Sequence, residues 1–330
     1  MIAANQAIKS SGLDSSNVGV ILGTGVGGMN TLEEEQSKLL KKGQRGVSPH
    51  FIPKMIPNIA GGQIAIKHGF HGPNFSLSSA CSSASDAIGM AYRLIQSNQI
   101  HAMVCGGAEG GITPLTLSGF SNMKALSKNN ENPQNACKPF DKNRDGFIMS
   151  EGSAMLILES LDSAQKRGAN ILAEIIGYGI TNDAYHITQP HNEGVGATSA
   201  INLALKDGGI NKDEVSYINA HGTSTYYNDM IETKAIKQVF GGDIAKNLLV
   251  SSTKSMTGHM LGATGAIEAI TCIYAMNHGI VPPTINYETP DPECDLNYVP
   301  NKSMESNLTI TMSNSFGFGG HNSVLAFKKF

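Results

Sequence analysis

Apolar positions fall into continuous runs along this chain, not into a polar/apolar alternation, and many runs close on Gly, Ala or Ser. The first is VGVILGTGVGG (18–28), followed by FSLSSAC (75–81), AMVCGGAE (102–109) and SAMLILES (153–160). The scheme returns in AEIIGYGI (173–180), VSYINAHGTS (215–224), LLVSSTKS (248–255), LTITMSNSFGFGG (308–320) and SVLAFKK (323–329). Short continuous runs of this kind predict strands buried on both faces. Between them, SDAIGMAYRLIQSNQI places Ala87, Ile88, Ala91, Leu94 and Ile95 at helical spacing, and further helical stretches lie near 196–207, 229–239 and 262–277. Strands alternating with helices predict an α/β fold with covered sheets.

The runs form an imperfect internal repeat, divided here into 1–165 and 166–330. The second half has five strands and the first has four, the strand without a counterpart being the first. The chain opens on MIAANQAIKSSGLD, which reads as a helix with Ile2, Ala3, Ala7 and Ile8 on one side, Gly12 as its stop and no capping residue before it. The expectation is that one strand and its flanking helices are missing ahead of this helix. The halves meet near LDSAQKRGANIL, with no low-complexity linker, so a shared core is expected.

Composition narrows the function classes. A net charge of −3 gives no bulk attraction to nucleic acid. No apolar run reaches the ~18 residues of a membrane span, and the N-terminus lacks the blocks of a signal peptide. Five cysteines at wide spacing, with no CxxC, point to reduced thiols and away from a disulfide framework or zinc cluster. The expected location is cytoplasmic, or an organellar matrix if a transit segment is absent from this sequence.

Four segments carry candidate chemistry. In SLSSACSS, Cys81 ends a strand and precedes a helix. Unpaired N–H groups at a helix start favour a thiolate there, while a buried, inert thiol is the alternative. His221 follows a strand in YINAHGTSTYYNDMIE, where ligands gather in α/β folds, or else it caps the loop. Lys254 and His259 share the loop SSTKSMTGH, and Glu268 in the next helix is a paired buried carboxylate or lies on a wet face. NSFGFGGHN (314–322) lacks the Lys-Ser/Thr pair of a phosphate loop, so its glycines admit a reacting carbonyl or merely close a hairpin. HITQPH has no third ligand nearby for a metal, and FDKNRDGFIMSEG misses the calcium-loop glutamate by one place and reads as a polar turn.

Taken together, Cys81, His221, Lys254, His259 and NSFGFGGHN resemble the 3-oxoacyl-[acyl-carrier-protein] synthases, the condensing enzymes of fatty-acid synthesis, and are most similar to the synthase II branch. VCGGAEGGITPLTLSGF, KPFDKNRDGFIMSEG, GYGITNDAYHIT, NAHGTST, SSTKSMTGH and VPPTIN extend the resemblance over the whole chain, apart from an N-terminal segment of the family. The resemblance implies a thiolase-like fold of two similar halves in αβαβα layers. It implies that Cys81 accepts the acyl group, that His221 and His259 complete a Cys-His-His triad, and that Lys254 orders the site through Glu268. It further assigns Phe318 as a gate and oxyanion-hole donor and Thr223 and Thr225 as holders of the pantetheine arm. Val26 and Phe120 become acyl-pocket positions, Phe51 a residue inserted into a dimer partner, and Arg45 and Lys124 docking points for acyl carrier protein. The implied reaction is decarboxylative condensation with malonyl-carrier protein in a homodimer, without metal or other cofactor, nucleic acid or membrane.

The chain departs from the family at His321, at the serines around Cys81 and at Tyr226–Tyr227. A thiolase or a coenzyme A-dependent synthase III is disfavoured by the His-Lys-His arrangement. A non-catalytic chain-length factor is disfavoured by the presence of Cys81. A truncated, inactive remnant is the remaining alternative.

Overall fold

A computed structural model describes residues 1–330. In the first sheet lie β1 (Gly19–Gly23), β2 (Asn74–Leu77), β3 (Ala102–Glu109) and β4 (Gly152–Glu159), in the order β2-β1-β3-β4. The second contains β5 (Glu174–Asn182), β6 (Val215–Asn219) and β7 (Leu249–Ser251). A two-stranded ribbon of β8 (Ile280–Val281) and β9 (Met304–Glu305) precedes β10 (Ile310–Gly317) and β11 (His321–Lys328), and the second sheet runs β5-β11-β10-β6-β7. In each sheet the inner strands are parallel, β1 beside β2 and β3, and β6 beside β7 and β10. The β3–β4 and β10–β11 pairs are antiparallel, as is β11 with β5. Thus β2-β1-β3-β4 repeats β7-β6-β10-β11, and the first sheet has no counterpart of β5. The outer edge of β4 pairs with no strand.

Two helices, Ser83–Gln96 and Thr264–His278, lie back to back between the sheets. Small residues permit this. Ala84, Ala87, Ala91, Ala266 and Ala269 are fully buried. A Cβ on Gly265 would stand 2.1 Å from Ser85 Oγ, and one on Gly89 would stand 2.4 Å from the Tyr178 ring. Outer helices cover the other faces, Ile59–His68 over β1 and β2, and Val195–Gly208 over β5 and β11. The layers are therefore αβαβα. One core cluster takes Ile21 and Met103 from the first sheet together with Tyr217 and Leu325 from the second, as the missing linker led us to expect.

The opening helix forms as read, Ile2–Ser11, with Gly12 at φ 62° as its left-handed stop. Its buried stripe is centred on Ala4, however, with Ala3, Ala7 and Ile8 packed around it, and Ile2 points to solvent. The strands predicted over 215–224 and 248–255 end early, at Asn219 and Ser251. Gly222 (φ 35°) and Ser224 (φ 67°) turn the chain out of the sheet. Residues read as strand are thereby released into loops.

Candidate active site

Those loops converge. Cys81 sits between β2 and the Ser83–Gln96 helix, His221 lies just past β6, Lys254 and His259 follow β7, and Phe318 lies in the β10–β11 turn. His259 Nε2 is 3.1 Å from Cys81 Sγ. The sulfur and the nearest ring nitrogens of His221 and His259 all lie within 4.8 Å of one another. Behind the histidines, Lys254 Nζ stands 3.4 Å from His221 Nδ1 and is ion-paired with Glu268. His259 Nδ1 meets Thr264 Oγ1 at 3.0 Å. Both readings left open for Glu268 are now decided: it is a paired, fully buried carboxylate.

Burial sets the protonation states. It pushes the Cys81 thiol up to about 11, and the nearby Lys254 charge and the Phe318 N–H only partly offset it. The expectation of a thiolate stabilised by the helix start is corrected: the resting group is a thiol. The N–H groups of Ser82 and Ser83 bond to the carbonyls of Ser79 and Ala80. Burial and then Lys254 hold both histidines well below their ordinary value, so they are neutral. Burial raises Glu268 and Glu232 to about 7. Glu232 accepts from the N–H groups of His221 and Gly222, at 2.8 Å each.

A cavity of about 480 Å³ opens above the sulfur. Thr223 and Thr225, hydrogen-bonded to each other at 2.8 Å, line it together with Phe318, Val26 and Phe120, and Lys124 lies on its lining as an exposed residue. Phe120 is 6.4 Å from Phe318. Arg45, exposed in the Gln44–Gly46 turn, and Phe51, opening the short Phe51–Met55 helix, lie away from it. The Phe318 N–H lies near enough to the sulfur to favour its charged form, and the Cys81 N–H has no acceptor within the protein. Gly317 lets the turn close in, since a Cβ there would stand 2.8 Å from Ser79 O and 3.1 Å from Cys81 N.

Two features escaped the sequence reading. Glu109, at the end of β3, accepts from Thr24 Oγ1 (2.9 Å) and from the N–H groups of Val26 (3.3 Å) and Gly262 (3.1 Å). It ties the GTGVGG turn to the loop behind His259. Its signal was a carboxylate closing the otherwise apolar run VCGGAE. The segment read as a polar turn, FDKNRDGF, is a turn with Lys142, Asn143 and Asp145 exposed, but it buries Asp141 and Arg144. Arg144 there is 5% exposed, pairs with Asp291 at 2.6 Å and donates to Thr225 O at 3.3 Å. His186 accepts from its own loop, at Thr188 N and Gln189 N.

Cys81, His221 and His259 are a donor set of the kind that holds a soft divalent cation. The fit is poor. Lys254 presents an ammonium to His221 Nδ1, which fixes that ring's hydrogen on Nε2, the nitrogen a cation would need bare.

Residues 1–164 match the family model described as beta-ketoacyl synthase, N-terminal domain, and residues 172–288 match the corresponding C-terminal domain. The 3-oxoacyl-[acyl-carrier-protein] synthase 2 of Synechocystis is 54% identical over 99% of this chain and 80% of the relative. The enzyme of that name from Staphylococcus aureus is 51% identical over 100% of this chain and 80% of its own length. Among solved structures, a type II polyketide ketosynthase in complex with its acyl-carrier protein superposes with a TM-score of 0.96 at 35% identity, over 99% of this chain and 83% of that one. A beta-ketoacyl synthase from Burkholderia phymatum gives 0.92 at 34%, over 100% and 81%.

Proposed function

The chain belongs to the beta-ketoacyl synthase family, as a condensing enzyme that lengthens acyl chains on acyl carrier protein by decarboxylative condensation with a malonyl unit, and from that premise we propose how its side chains share the reaction. Cys81 is the nucleophile. Neutral His259, 3.1 Å away, takes the thiol proton as the sulfur attacks the acyl thioester. The N–H groups of Cys81 and Phe318 receive the oxyanion. The tetrahedral adduct collapses, the carrier thiolate leaves and is protonated by water, His259 keeps the thiol's hydrogen on Nε2, and the acyl group remains on sulfur.

Malonyl-carrier protein then enters along Thr223 and Thr225 and loses CO₂. The negative charge moves to the thioester oxygen, where imidazole N–H groups of His221 and His259 stabilise it. Lys254 donates to His221 Nδ1, so that ring bears its hydrogen on Nε2, facing the substrate. The enolate carbon attacks the acyl carbonyl, the C–S bond breaks, and the Cys81 thiolate takes back its proton from His259 Nε2. The product is 3-oxoacyl-carrier protein, two carbons longer. Glu268 keeps Lys254 in place. Val26 and Phe120 bound the acyl chain and Phe318 gates it.

We further assign Lys124 and Arg45 to the acidic carrier protein and Phe51 to a homodimer contact. The two functional halves are 1–165, with the nucleophile, and 166–330, with its partners. Five free cysteines support a reducing compartment such as the cytoplasm.

The observation that carries this reading is the meeting of Cys81, His221 and His259 within 4.8 Å at the floor of an open cavity. Intact-mass analysis after incubation with acyl-carrier protein tests it. An acyl adduct is expected on Cys81 and none on Cys81→Ala. A folded wild-type chain that gains no adduct would sink the nucleophile assignment.

A further inference from the structure

The turn that presents Cys81 is strained, since Ala80 immediately before it has φ 52°, a left-handed conformation unfavourable for a residue with a Cβ. Such a turn keeps its shape only if something outside it holds it. Asp86, in the first turn of the following helix and 5% exposed, is placed to do so. Its Oδ2 accepts from Ser79 Oγ, two residues before the nucleophile. Ser82 Oγ, one residue after it, lies 3.3 Å from the same oxygen. The other carboxylate oxygen accepts from Tyr178 Oη at 2.8 Å.

Tyr178 belongs to β5 in the second half and is itself fixed. Its ring packs on Gly89, and Arg93 donates to its carbonyl at 3.2 Å. The grip therefore has a rigid anchor in the half that carries His221 and His259.

We propose that Asp86 is a positioning residue for Cys81. It clasps the serines on both sides of the nucleophile and fixes them, through Tyr178, to the half that holds the histidines. It touches neither substrate nor sulfur. Its effect is on where Sγ stands relative to His259 Nε2 and the two N–H donors. The competing account is that Asp86 only complements the helix dipole, which would affect stability and nothing else.

This inference rests on Cys81 as nucleophile, and two half-reactions separate them. Acylation needs Sγ in place, whereas decarboxylation of malonyl-carrier protein needs the histidines. In Asp86→Asn we expect acylation, followed by intact mass, to slow roughly 10- to 100-fold, the scale of a small misplacement of reacting atoms. Decarboxylation should stay near wild type. In Asp86→Ala, which removes both acceptor oxygens, adding Ser79→Ala should cost little more, because both break the same contact. Tyr178→Phe, which removes only the hydroxyl, should slow acylation in the same direction and serves if Asp86→Asn does not fold. Wild-type acylation in the folded variants, or a parallel fall of both half-reactions, overturns the proposal. A wild-type chain without an adduct overturns the assignment of Cys81 first, and this one with it.

Discussion

At the scale of single residues, a thiol that burial raises to about 11 sits beside histidines that burial keeps neutral. Without substrate, alkylation of Cys81 by iodoacetamide is therefore slow near neutrality and quickens as pH climbs toward that value, the reactive form being the thiolate. A rate that levels off near the ordinary cysteine value of ~8.5 would contradict it. Cys81, His221, Lys254 and His259 were legible because each lies in a short polar loop directly after an apolar run. Their order in the chain also matches a known pattern. The protonation state of Cys81 was not legible. It depends on how much protein closes over the sulfur, which the local sequence does not record. Asp86 was invisible for a similar reason. An acid in a first helical turn looks like ordinary dipole complementation until Tyr178, far along the chain, is brought to it.

At the scale of elements, glycines separate packing from propensity. Gly89 and Gly62 both lie within helices, Ser83–Gln96 and Ile59–His68. A Cβ at Gly89 would strike the Tyr178 ring at 2.4 Å, whereas one at Gly62 meets nothing within 4 Å. Gly89→Ala is therefore expected to destabilise the fold by about 1–3 kcal/mol through overpacking. Gly62→Ala should stabilise it by up to about 1 kcal/mol through helix propensity. Urea unfolding of the two variants checks the opposite signs, and a stabilised Gly89→Ala would refute the close helix–strand contact. Strands β3 and β4 were readable almost to the residue because they are continuous apolar runs ending at a turn. β6 and β7 were overestimated because small polar residues after them still look extendable, and beyond β6 it is the positive φ of Gly222 and Ser224 that turns the chain away. The turn around Arg144 was legible as a polar turn, but the burial of Arg144 was not. Its polar groups are satisfied by Asp229 and Asp291, which no local window contains.

At the scale of the whole molecule, the repeat of covered sheets and the shortfall of one strand in the first half followed from counting apolar runs, whereas the αβαβα layering came only with the family resemblance. That the unpaired edge belongs to β4 required the strand order, which sequence alone does not give. The single core cluster that draws on both sheets has a consequence for how the molecule comes apart. Neither half can loosen without uncovering apolar surface on the other, so heat should melt both in one cooperative transition. The reacting set is divided in the same way, with Cys81 on one half and His221, Lys254, His259 and Phe318 on the other. Condensing activity is then a gauge of the contact between halves. Its loss on titration with urea should coincide with the loss of secondary structure by circular dichroism, and activity vanishing well before that would show that the halves part while each remains folded.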